Sequence, residues 1–214
     1  MTYFREVSDL LYHSQQPNRN SSFDYVRVKN LFRRAKIRED IFNVTTALTK
    51  YKIIGDERPE QVAQKIYGSP EYDWVVLTTN NIINIRDEWP ISNQEFNTYL
   101  ERKYTTQELN SIHHYETLDY YDYNGKKILK YGKVVDSDYS LTYFDSATQA
   151  VLTVYPVKPI TVYDYEVRKN EEKRNIYVLK SRYLQTVIDD MREIMSYGFS
   201  SQYVDDKTKK GGNV

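Results

Sequence analysis

Between Tyr51 and Ile85 the apolar positions change their period twice. Tyr51-Lys52-Ile53-Ile54 is a short apolar-rich run that reads as a strand, and Gly55-Asp56 reads as a turn. Pro59 suits the first position of a helix, where its missing N–H leaves nothing unsatisfied. Val62, Ala63, Ile66 and Tyr67 then recur at the offsets of a helical stripe, and Gly68 stands where a left-handed cap ends such a helix. Ser69 can cap a second helix and Pro70 can open it, with Trp74, Val75, Leu77 and Thr78 on its buried side. Asn80-Asn81 ends that helix, and Ile82-Ile83-Asn84-Ile85 is predicted to return as a strand. The predicted order is strand, helix, helix, strand.

The flanks are less periodic. Residues 1–22 are polar and broken by Pro17 and the Asn18–Ser22 run, the pattern of an arm or loop. In residues 23–49, Leu31, Phe32 and Ala35 suggest a short helical face, and Val44-Thr45-Thr46 an extended one. Ser92 and Glu95 have capping-box spacing for a helix through Phe96, Tyr99 and Leu100 to about Lys103. From Tyr115 the pattern turns strand-like. Asn124-Gly125 predicts a hairpin between residues 120–123 and 127–131, since both turn residues tolerate positive φ. Short strands are expected near 139–144 and 150–155, and Thr161 is placed to cap a helix through Tyr165 to about Asn170. Arg174–Lys180 reads as a strand. The last helix follows Ser181, with Leu184, Val187, Ile188, Met191, Ile194 and Met195 on one face; Gly198 should end it, and Lys207–Val214 should be a disordered tail.

The fold class expected is therefore α+β. It divides into an N-terminal arm or docking segment (1–50), a β-α-α-β module (51–90), a helix with a β-hairpin-rich region (91–180), a C-terminal helix (181–198) and a flexible tail (199–214).

Charge narrows the partners. Lysine plus arginine and aspartate plus glutamate both number 30, so no net field favours nucleic acid, a membrane surface or an acidic substrate. The basic stretch Arg27, Lys29, Arg33, Arg34, Lys36, Arg38 is closed at once by Glu39 and Asp40 and reads as a solvated or interface face. There is no cysteine, which fits manufacture in a reducing cytoplasm. The opening residues have early acids and no apolar core, so no signal peptide is expected. No apolar run approaches a membrane span. The 22 tyrosines suit strands, and they also suit interfaces that must be both buried and specific.

No catalytic constellation emerges. His113 and His114 are neighbours on a strand, where adjacent side chains point to opposite faces, and no cysteine or helical histidine stands near them to complete a metal site. His13 is alone in a polar segment. Asp189-Asp190 and Asp205-Asp206 are adjacent carboxylates on exposed stretches, whereas acid–base work needs opposed groups around a substrate. None of the seven glycines forms a phosphate-cradling loop. The chain is expected to be no enzyme and to need no cofactor and no metal.

Two resemblances add to this reading. The run from Tyr51 to Gly68, followed by Trp74, Leu77, Asn80-Asn81 and Ile82, resembles a LysM module over about forty residues. That family has a tyrosine-led strand, a Gly-Asp turn, an apolar-Ala pair, a Tyr-Gly stop and an asparagine-isoleucine return. Arg58-Pro59-Glu60, Ile66-Tyr67-Gly68, Trp74–Leu77, Trp89, Ser92, Glu95 and the closing Ile194–Gly198 together resemble the LysM-like baseplate wedge proteins of T-even-type phages. This wider resemblance implies a structural role in the virion tail baseplate, assembled in the host cytoplasm. The implied partners are the helical bundle at the wedge core, the sheath-like wedge subunit and neighbouring wedges around the hub. Partner-binding candidates are Leu31, Phe32 and Arg33 in the N-terminal segment, Arg58, Tyr72 and Asn81 in the module, and Leu184, Ile188 and Met191 on the closing helix.

One rival is a LysM protein that binds peptidoglycan or chitin between residues 55–58 and about 79–83. Here Arg58-Pro59 stiffens and charges the first loop, and a single module would have little avidity on a polymer. The other rival is a LysM-type tail-completion protein at the hub of another contractile injection machine.

Overall fold

The computed structural model describes residues 3–13, 25–38 and 46–211. In chain order, the first elements are α1 (Tyr3–Glu6), β1 (Asp9–His13), β2 (Tyr25–Lys29) and β3 (Leu48–Lys52). Helices α2 (Pro59–Tyr67), α3 (Asp73–Thr79), α4 (Ile85–Glu88), α5 (Asn93–Lys103) and α6 (Thr106–Leu109) follow. Next come β4 (Ile112–Thr117), β5 (Tyr120–Tyr121), β6 (Lys127–Leu129), β7 (Val134–Val135), β8 (Leu141–Asp145), β9 (Ala150–Val154) and β10 (Val157–Thr161). The chain closes with α7 (Val162–Glu172), β11 (Asn175–Leu179), α8 (Leu184–Met195), β12 (Tyr203–Asp205) and β13 (Thr208–Lys210). The class is α+β, as expected. Two compact units share the chain: unit 1 is Met1–Pro90 with Arg174–Val214, and unit 2 is Ile91–Lys173.

In unit 1 the local signals act where the sequence puts them. Pro59 opens α2, the Gln61 side chain accepts the Arg58 N–H at 2.9 Å, and Gly68 closes the helix at φ 76°. Ser69 and Pro70 start a 3-10 turn (Pro70–Tyr72) that leads into α3. Helix α3 is apolar on two sides and belongs to two cores. Trp74 and Val75 pack with Val7, Ile37, Leu179, Ile188 and Met191, while Val76 packs with Ile53, Val62, Trp89, Ile176 and Val178. Val76 and Thr79 are fully buried, where Leu77 and Thr78 were expected.

The returning strand is not Ile82–Ile85. Asn84 caps α4 by accepting the Arg86 N–H, and the Glu88 carboxylate accepts the N–H groups of Ile83 (2.6 Å) and Asn84 (2.9 Å). Those donors would otherwise have to enter a ladder, so the segment curls locally instead. The strand paired antiparallel with β3 is β11, in register from Leu48↔Leu179 to Lys52↔Asn175. Asn80 takes one edge of β11: its amide donates to the Tyr177 carbonyl and its carbonyl accepts the Tyr177 N–H, both at 2.8 Å.

Further expectations are corrected in unit 1. Asp9–His13, expected in a loose arm, is an inner strand of the sheet ordered β12-β13-β1-β2. The expected disordered tail supplies β13, which runs parallel to β1 and buries Thr208 to 2% exposure. Residues 33–38 form no helix. Ala35 and Ile37 are buried while Arg34, Lys36 and Arg38 are exposed, a period of two that marks extended chain, and Leu31-Phe32 sit in a turn. Of Val44-Thr45-Thr46, the first two lie outside the described residues and Thr46 is in a turn. Helix α8 stops at Met195, ahead of Gly198, because Ser196 is extended.

Unit 2 carries the sheet β10-β4-β7 and the hairpins β5–β6 and β8–β9. Ser92 caps α5 and Thr161 caps α7, each accepting the N–H three residues on. The Asn124-Gly125 hairpin forms with a different turn from the expected one. Only Gly125 has positive φ; its N–H bonds the Asp122 carbonyl and the Asp122 N–H bonds the Lys126 carbonyl, a type I turn followed by a glycine bulge.

Candidate interaction surface

A groove of about 700 Å³ lies along α3 in unit 1. Its apolar lining includes Tyr3, Phe4, Leu31, Leu77, Ile82 and Ile83, with Trp74 in its wall. Phe4, Leu31 and Ile83 are 60%, 71% and 72% exposed, and Phe32, next to Leu31, is 97% exposed. Contiguous exposed apolar surface of this kind marks contact with another molecule. Polar groups stand at both ends: Asp73 in the first turn of α3, and Arg34, which donates to the Asn81 side chain (3.3 Å) and the Ile82 carbonyl (3.1 Å) just past its last turn. Burial raises the Asp73 carboxyl above its ordinary range, opposed by its hydrogen bond from the Trp74 N–H.

The sequence-derived candidates separate in space. Leu31 and Arg33 line the groove, and Asn81, at φ 54°, holds Arg34 beside it. The Arg33 guanidinium is committed within the chain: it donates to the carbonyls of Ile194, Met195 and Ser196 and lies over the Tyr197 ring, so it caps the C-terminal end of α8. Tyr72 packs edge-on against Tyr67. Arg58 is largely exposed at the start of α2, near Glu60. Ile188 and Met191 are buried in the core and Leu184 packs against it, so the helix face left open between core and subunit contact serves the core. Phe4, Ile82 and Ile83 line the groove without standing among the sequence-derived partner-binding candidates. The available signal was an apolar Ile82-Ile83 pair in a segment whose polar neighbours favour a local turn.

Of the two segments that the glycan-binding rival would use, residues 55–58 are held by the chain itself. Trp89, 5% exposed, donates its indole N–H to the Glu57 carbonyl at 2.9 Å and packs in the cluster that Ile82 borders. Glu57 is further held by the Tyr51 hydroxyl and by Lys65. Burial alone would raise the Glu57 carboxyl, but these partners hold it below its ordinary range.

Unit 2 contains the two adjacent histidines, and they do not point apart. The β4–β10 register slips between Ile160 and Thr161, leaving His113 as an extra residue, and this bulge turns both rings together. Their Nδ1 atoms are 2.8 Å apart, His113 stacks on Tyr165, and His114 bonds Glu116 at 2.9 Å. Arg168 pairs with the same carboxylate. Burial pushes Glu116 up, while Arg168 and His114 more than offset this and hold it low. Among the described residues no three His, Cys, Asp or Glu side chains are grouped to hold a metal ion, and no helix is long and apolar enough to cross a membrane.

Two comparisons bear on this surface. Residues 3–194 match the protein family described as Base plate wedge protein 53. The chain is also similar to "Baseplate wedge protein gp53" of Enterobacteria phage T4, 26% identical over 207 residues that cover 92% of this chain and 97% of that protein. The match runs through both units and both walls of the groove. The chain belongs to the base plate wedge protein 53 family and is a structural component of a phage tail baseplate wedge.

Proposed function

We propose that the chain joins wedge subunits and neighbouring wedges around the hub during tail assembly, with a LysM-like β-α-α-β core as its docking scaffold. The scaffold on this reading is β3, α2, α3 and β11, with unit 2 inserted between the second helix and the returning strand. Its partners are the helical bundle at the wedge core and the sheath-like wedge subunit. The chain acts without catalysis. The observation that carries the reading is the open apolar groove along α3 beside the exposed Leu31 and Phe32. The position of Trp89 against Glu57 favours assembly over sugar binding, because the loop at residues 55–58 is already bonded and packed by an indole of the same chain.

The test uses the purified full chain, sedimented separately with the other wedge subunits of the same phage and with peptidoglycan. Association with the wedge and none with peptidoglycan is the expected result. Binding to peptidoglycan that Arg58→Ala or Asn81→Ala abolishes would overturn the reading.

A further inference from the structure

The groove has a direction. Asp73 and Asn81 are eight residues apart along and just beyond α3, roughly 12 Å at about 1.5 Å per residue. One end therefore presents the half-buried Asp73 carboxylate, with Glu71 lining the groove beside it. The other presents the guanidinium of Arg34, held by neutral oxygens of Asn81 and Ile82 and, among the described residues, by no carboxylate. Between these ends the lining is mainly apolar, with Thr78 bonded back to the Trp74 carbonyl and Arg33 committed to the end of α8. An apolar face with opposite charges about two helical turns apart is the complement of an amphipathic helix. Acids are favoured near the N-terminus of a helix and bases near its C-terminus, so such a helix would set its acid against Arg34 and its base against Asp73. It then runs antiparallel to α3, which also opposes the two dipoles.

Among the described residues, no long helix of this chain has an apolar face to spare. Phe96 and Leu100 of α5 are buried in unit 2, Val187, Ile188, Met191 and Met195 of α8 are buried in unit 1, and α7 turns the polar Glu166 and Asn170 inward. We infer that the groove along α3 receives an amphipathic helix of a different wedge subunit, antiparallel to α3, with an acidic residue facing Arg34 and a basic residue about two turns later facing Asp73. The inference rests on the assembly reading above and adds the chemistry of the partner.

Photo-cross-linking in the assembled wedge tests it. The full chain carries benzoylphenylalanine in place of Phe4 or Ile83, is assembled with the other wedge subunits, and the cross-linked peptides are sequenced by mass spectrometry. The expected product is one peptide of another wedge subunit, with apolar residues at helical spacing between an acid and a base. Cross-links to a second copy of this chain, cross-links to peptides without that pattern, or no cross-link in assembled wedges would each overturn the inference. As an independent readout, Asp73→Lys should lower incorporation into the wedge about tenfold, through like-charge contact with the partner's base. Exchanging that base for glutamate should restore it. Arg34→Glu should act likewise, and Asp73→Lys carries the test if the loss of the Ile82 contact unfolds the arginine variant. If Asp73→Lys incorporates like wild type, the helix is wrong and the wedge reading stands. If the wild-type chain does not join the wedge, the reading itself fails.

Discussion

Unit 1 buries two apolar clusters built from α2, α3, α8 and the strands β3 and β11. Unit 2 buries four apolar side chains, Phe96, Leu100, Leu129 and Ile160, and sets charged ones among them. In unit 2, Glu116 is pinned by Arg168 and His114, and Glu166 accepts from Lys103 (2.8 Å) and the Tyr104 hydroxyl (2.7 Å). Apolar packing is insensitive to pH and tolerant of small shifts. Buried ion pairs hold one geometry and fail when a partner is lost or neutralised. Unit 1 also holds charged pairs, Glu6 with Arg192 and Lys207 and Glu57 with Lys65, but sets them beside two apolar clusters, so unit 2 depends more on its charges.

The largest loss is expected at the core of unit 1. Ile188→Asp sets an unpaired charge among Val187, Met191 and Leu179, and should cost roughly 4 kcal/mol or more. Urea denaturation checks this, and a soluble variant of wild-type midpoint would show that the helix face is no core. In unit 2, Glu116→Ala leaves Arg168 without its carboxylate. The Arg168 side chain is 37% exposed, so water recovers part of the loss and about 2 kcal/mol is expected from the same measurement.

Acid should weaken unit 2 more than unit 1, although Glu57 of unit 1 is held low too. Burial raises Glu116 and Glu166, but their partners outweigh it and hold both carboxyls below the ordinary 4.5. A depressed folded value means that the stabilisation is complete above about that pH and is lost as pH falls through the folded value. Trp74 and Trp89 are the two tryptophans and both lie in unit 1, so indole fluorescence reports unit 1 alone. Below about pH 4.5, far-UV circular dichroism should lose its unit 2 contribution at lower urea than the indole transition. Coincident transitions would remove the distinction. The smallest effect sharpens unit 1: Arg33→Met withdraws the donors at the end of α8 and should cost about 1 kcal/mol, seen as a lower melting temperature.

What was legible in the sequence was local. Pro59, Gly68, Ser92 and Thr161 mark helix ends through contacts within a few residues, and each acts there. The returning strand was not legible, because β11 meets the module through partners such as Asn80 and Tyr177, 97 residues apart. Ile82-Ile83 has strand composition, but the Glu88 carboxylate five residues later captures its backbone. His113 and His114 were assigned opposite faces by the strand period, and a bulge that only the β10 register reveals brings them together. At the groove, Leu31 and Arg33 could be singled out as apolar and basic residues in one stretch. Phe4 and Ile83 could not, since their shared surface depends on how distant segments pack.

The most direct test of the whole account is a cryo-EM map of the assembled tail baseplate at side-chain resolution. This chain is expected between wedge subunits, with the groove along α3 filled by a helix of another subunit and with Trp89 seated against Glu57. A map in which the groove faces solvent, or in which the chain touches no second wedge subunit, would contradict it.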